Sequence, residues 1–210
     1  MQDDFSGDSL NPANWDTIST KFFVEDGMLN GYKDAVVQQS AFGTPDNGQE
    51  WGMNRHWKTF VAEMDVRLVE NEAPGSTQSA GFWIRAYGDD FIDGENAGQI
   101  YGLGYDHTHS SYVITRGDSI NSTDENAIVA VPTTQWAEGE GAAYHKLGIK
   151  VQANGMVSLW ADGVKVAEIN TADASATGTT EELYTMGIYN TPVLLINRNN
   201  YIQFDNVVVA

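Results

Sequence analysis

Apolar residues in this chain recur with a period of two and almost nowhere with the period of a helix. Phe60, Ala62, Met64, Val66 and Leu68 alternate with Val61, Glu63, Asp65 and Arg67. Phe82, Ile84 and Ala86 alternate with Trp83, Arg85 and Tyr87. Successive side chains on a strand point to opposite faces, so each run can seal an interior on one side only. Similar runs span 99–105, 111–116, 127–131, 145–151, 156–161, 165–169, 184–189 and 201–209. Asn154-Gly155 and Asp162-Gly163 fall between runs and supply the positive φ of tight hairpins. Asp26-Gly27, Asn30-Gly31 and Asn47-Gly48 do similar work near the N-terminus. Only 172–183 suits a short helix or helical turn. Many short strands with frequent turns specify an all-β fold, a two-sheet antiparallel jelly-roll sandwich.

With 210 residues, the chain suits a single domain over 1–210. It has no cysteine, which excludes a disulfide framework, an iron–sulfur cluster and a thiolate zinc site. No apolar run approaches the length of a membrane-spanning helix. The net charge of -18 repels nucleic acid and anionic membranes and favours divalent cations, which take hard oxygen ligands.

Three segments in order carry a resemblance. Asp3-Asp4-Phe5-Ser6-Gly7 with Leu10 and Trp15 opens the chain. The second segment runs from Gly148-Ile149-Lys150-Val151 through Asn154-Gly155 to Val157 and Asp162-Gly163. Met186-Gly187-Ile188-Tyr189-Asn190 and Phe204-Asp205-Asn206-Val207 close it. Together they resemble the concanavalin A-like lectin and glucanase superfamily, in its LamG-like jelly-roll form. The resemblance implies a first and a last strand lying side by side, which covers an edge. It also implies a secreted or cell-surface domain, expected to be bacterial.

A structural calcium ion is the sharpest chemical expectation. By resemblance its ligands are the carbonyls of Asp4 and Gly27 and both oxygen types of Asp205. Asp205 stands in an apolar strand, where an unpaired carboxylate is costly. The acidic loop 89–96 does not fit an EF-hand, since Phe91 takes a ligand position.

For ligand binding, Trp83, Arg85 and Tyr87 share one strand face and Gln99, Tyr101 and Tyr105 another. Aromatic rings stack on the C–H faces of sugars while planar polar groups read hydroxyls, so the expected partner is a polysaccharide or other glycan. Trp15, Trp57 and Trp160 are assigned to core or edge packing, and Trp51 and Trp136 to the rim. His107 joins the candidate face. With His109 it forms His-x-His, which on a strand would set both rings on one side, but a polar loop is the better reading, since a metal site would need a third ligand.

An enzyme, either hydrolase or lyase, and a peptide-binding module stand as alternatives to glycan binding. Glu63 and Asp65 share a face, as the acid pair of a glycosidase does, but Arg67 replaces the third acid of the laminarinase-type strand. Gln99-Ile100-Tyr101 faintly resembles an alginate-lyase strand, and convergence of Arg85, Tyr101 and His107 in one cleft would favour a lyase. A peptide-binding adhesin module is the other alternative.

Overall fold

The computed structural model describes residues 2–11, 15–17, 22–32, 35–39, 59–71, 78–87, 99–117, 120–152, 154–170, 189–198 and 200–210. Its strands are β1 (Gln2–Asp3), β2 (Trp15–Thr17), β3 (Phe22–Glu25), β4 (Met28–Tyr32), β5 (Ala35–Gln39), β6 (Phe60–Asn71), β7 (Ser79–Tyr87) and β8 (Gln99–Asp106). They continue as β9 (Ser111–Arg116), β10 (Ala127–Pro132), β11 (His145–Val151), β12 (Met156–Ala161), β13 (Val164–Asn170), β14 (Tyr189–Arg198) and β15 (Asn200–Val209).

Two antiparallel sheets form, with no helix among the described residues. In one the order is β13-β12-β11-β6-β15-β4-β3, with β1 also on β15. In the other it is β10-β9-β8-β7-β14-β5-β2. The alternation of β6 does what its sequence demands. Ala62, Met64, Val66 and Leu68 point inward, beside Leu147 and Ile149 of β11, Leu159 of β12 and Phe204 of β15. Phe82, Ile84, Leu103 and Ile114 meet them from the second sheet. The interior is therefore the layer between the sheets, as in other sandwiches.

The chain ends meet as the sequence implies. Gln2 pairs with Val208 and Asp3 with Val207, and Phe5 is buried in the same core as Phe204. Ala210 exchanges two backbone hydrogen bonds with Val61, of 2.8 and 2.9 Å. Strands β2, β3, β4, β5 and β14 were not singled out by the alternation of their sequences, and Asn30-Gly31, read as a turn, lies within β4 without positive φ. The segments 89–96 and 172–183, and Trp51 and Trp57, lie outside the described residues.

Trp136 corrects the rim assignment, being only 6% exposed. Its ring lies between Tyr105, at 3.9 Å, and His145, at 4.2 Å, both nearly parallel to it. Its backbone N–H donates to the Tyr105 hydroxyl at 2.9 Å. The stack ties β8 of one sheet to β11 of the other.

A second cover lies on the outside of β8 and β9. Ile120 packs on Val113 there. Asp106 is fully buried and holds this segment down, accepting from Ser122 N–H and Ser122 Oγ, both at 2.8 Å. It also pairs with His109 Nδ1 at 2.8 Å.

Candidate functional site

Strand β7 carries three of the ligand-binding candidates. Position 83 is in register with Gly102 of β8 and Leu194 of β14, and position 85 with Ile100 and Thr191. Phe82 and Ile84 are buried inward, so strand alternation assigns positions 83, 85 and 87 to the outer face. The side chains of Trp83, Arg85, Tyr87 and Gln99 lie outside the described residues.

The other aromatic candidates do not join that face. Tyr101 is 1% exposed and Tyr105 fully buried, both within the core. The physical reason is Leu103, which lies in step between them and takes all three side chains inward. Burial pushes the Tyr105 hydroxyl above its ordinary pKa, against the opposing effect of the Trp136 N–H. His107 is also buried, and its Nε2 pairs with Glu138. It does not share a face with His109, because β8 ends at Asp106 and both histidines belong to the turn before β9. The convergence of Arg85, Tyr101 and His107 that would favour a lyase is therefore not supported by Tyr101 or His107.

The calcium candidates come together by topology. One edge of β15 pairs along β6. The other edge pairs with β4 over Tyr201–Phe204 and with β1 over Val207–Val208. These two short strands thus lie end to end, and the gap between them falls at Asp205 and Asn206. Asp4 follows β1 into that gap and Gly27 precedes β4 into it. The ladder between β15 and β6 also shifts register between Asp205 and Val208. Phe5, Asp26, Gly27 and Asn206 all have positive φ, from 49° to 72°, which turns main-chain groups out of ordinary ladder directions.

Burial raises the Asp205 carboxyl above the usual range, and the Asp65 and Asp4 carboxylates add to this, while the Asn206 N–H opposes it at 2.7 Å. Among the described residues no three His, Asp or Glu side chains converge. A cation at this gap would accordingly rely on main-chain oxygens beside Asp205. An all-oxygen set with surplus negative charge fits a hard divalent ion.

The outer face of the β6 sheet is divided. At one end Arg67 is fully engaged: it donates from Nε to Gln203 Oε1 at 2.8 Å and from a terminal nitrogen to the Glu140 carbonyl at 2.8 Å, and it lies over the Tyr144 ring. Asp65 is held by Lys146 at 2.7 Å and by the Asn206 amide at 2.9 Å. Glu63 shares the face with Asp65, as the sequence indicates, but not its partners.

Beyond Glu63 the face is open. A depression of about 210 Å³ is lined by Val61, Glu63, Gly148, Ile149, Lys150 and Trp160. Trp160 corrects its assignment to core or edge: it is half-buried on this outer face, its Nε1 donating to Ser158 Oγ at 3.0 Å. Gly148 and Lys150 are functional candidates that sequence reasoning missed. Their signal was the alternate row Lys146, Gly148, Lys150 on β11.

No family model matches the sequence, and no curated protein does either. Solved structures do match in shape. An endo-β-1,3-glucanase from Pyrococcus furiosus superposes with a TM-score of 0.60 at 12% identity, covering 100% of this chain and 92% of that one. The β-agarase B of Zobellia galactanivorans gives 0.60 at 12% identity, over 99% and 90%. A carbohydrate-binding module from Bacillus subtilis gives 0.52 at 12% identity, over 94% and 95%. Such likeness fixes the fold and leaves the chemistry to the residues.

Proposed function

We propose that this chain, whose fold is the concanavalin-like jelly roll, is a secreted, non-catalytic domain over 1–210 that binds a polysaccharide on the outer face of β7. Trp83 and Tyr87 are the stacking groups of this reading and Arg85 the hydroxyl-reading group. The observation that supports it is the inward burial of Phe82 and Ile84, from which strand alternation gives positions 83, 85 and 87 to the outer face. Similarity in fold to a carbohydrate-binding module and to polysaccharide hydrolases supports a glycan as the partner.

Affinity electrophoresis in gels containing laminarin, agarose or plant glucans tests this. Retardation is expected in at least one gel, with Trp83→Ala weakening it about tenfold, the loss of one stacked ring. Unretarded migration in all of them would refute sugar binding. Reducing ends released from laminarin or agarose would replace binding by hydrolysis as the function.

The same reading includes a structural calcium ion at Asp4, Gly27 and Asp205. With calcium at about 100 times its dissociation constant, its removal withdraws about 2.7 kcal/mol. For a domain this size the melting temperature should then fall by about 5–10 °C in chelator. Asp205→Asn should melt low with or without calcium. An unchanged wild-type melt in protein shown to be calcium-free by elemental analysis would remove the ion from the account.

A further inference from the structure

The outer row of β11 contains a hole one side chain wide. Lys146, Gly148 and Lys150 point the same way, and the middle position has no side chain. Gly148 is in register with Glu63 of β6 on one side and Trp160 of β12 on the other. Val61 and Glu63 therefore form one wall, the indole the other, and Lys150 closes an end.

Backbone packing does not demand a glycine at this position. A Cβ on Gly148 would come to 3.3 Å of Glu63 Cγ, the movable part of a side chain, and no closer than 3.5 Å to any backbone atom. Glycine inside a strand weakens it. The depression is what its presence creates.

The charges around the hole are arranged unevenly. Lys146 is paired with Asp65 and Lys165 with Glu168. The side chains of Glu63 and Lys150, which flank the hole, have no hydrogen-bond or ion-pair partner among the described residues. Val61, 36% exposed, adds an apolar surface beside them. The Ser158 hydroxyl fixes the indole of Trp160 along β12 rather than leaving it to swing. A fixed aromatic wall, an apolar edge, a free acceptor and a free donor around a small open depression match one sugar ring: C–H faces against the indole, hydroxyls to Glu63 and Lys150. A chain of net charge -18 disfavours a polyanion, so the ring belongs to a neutral glycan.

We infer that Trp160, Gly148, Glu63 and Lys150 form a second binding site for a neutral pyranose, on the sheet opposite the β7 face. The inference rests on the reading of the domain as a glycan binder and adds a second point of attachment. A domain with sites on both outer faces bridges two polysaccharide strands.

Laminarihexaose and agarohexaose are suitable probes, titrated into isotope-labelled full-length protein by NMR. The Trp160 indole N–H, identified by its loss in Trp160→Phe, should shift with at least one probe, together with the Gly148 and Lys150 amides. Gly148→Val fills the hole and should abolish those shifts while shifts on β7 persist. Should Gly148→Val fold poorly, Trp160→Ala on the exposed face serves in its place, with loss of the Gly148 and Lys150 shifts expected. Shifts on β7 without any at Trp160 and Gly148 would overturn the second site and leave the first intact. No shift anywhere with either probe would overturn the second site, and unretarded migration in every gel would then overturn glycan binding as a whole.

Discussion

Replacing Gly104 by Ala should lower stability by about 3 kcal/mol or more, the upper range for overpacking, and Gly81→Ala should do the same. The two glycines face each other across β7 and β8. A Cβ on Gly104 would run into the Ala80 carbonyl oxygen and approach Gly81 Cα to 2.7 Å. A Cβ on Gly81 would strike the Leu103 carbonyl oxygen and reach 2.7 Å from both Gly104 Cα and Ile120 Cδ1. These obstacles are mostly backbone, so no rotamer change relieves them. The strands would have to part, and the ladder that aligns Phe82 with Leu103 would part with them. Urea or thermal unfolding measures the loss. Gly148→Ala is the internal control, since its nearest neighbour is a flexible side chain, and it should stay within about 1 kcal/mol of wild type. Gly104→Ala unfolding together with wild type would show that β7 and β8 do not approach as described.

Trp136→Ala should destabilise by about 3–5 kcal/mol, the range for emptying a large aromatic site. The indole is the middle member of a three-ring stack, so its loss leaves a slot between Tyr105 and His145. It also removes the 3.4 Å donor to the buried Tyr112 hydroxyl. The facing rings belong to different sheets and cannot close the slot without moving the sheets together. A melting temperature about 10 °C lower and a weakened near-ultraviolet aromatic signal are expected. Trp136→Phe should recover part of both. A change below about 1 kcal/mol for Trp136→Ala would mean that the stack contributes little.

Which parts of this molecule could be read from sequence follows from how local the cause is. Strand β6 was legible because every second residue is apolar over nine positions, and the same holds for Phe82 and Ile84. Pairing of the chain ends was legible through a resemblance of motifs. The inward turn of Tyr101 and Tyr105 was available in principle, since Leu103 stands in phase with both and Gly102 and Gly104 leave the other face bare. Trp136 was not legible. It lies in an irregular segment, and its burial comes from rings 31 positions upstream and nine downstream. The turn that holds His107 and His109 agrees with the polar loop read there, whereas the burial of His107 against Glu138 was not legible, because that partner lies 31 positions away. The hole at Gly148 depends on Glu63 and Trp160, which only sheet register brings alongside it.

The end-to-end seating of β1 and β4 along β15 has a mechanical consequence. Gln2 lies beside Val208, so tension between the two ends of the chain acts on the open end of an antiparallel pair. Such a pair separates like a zipper, one bond at a time, instead of resisting in shear. The fork meets Asp4 after only two residues, and beyond it lies Phe5, sealed in the core. In a stretched fibre or a surface-tethered chain, the extraction of Phe5 from the core would set the force at which the first strand peels away.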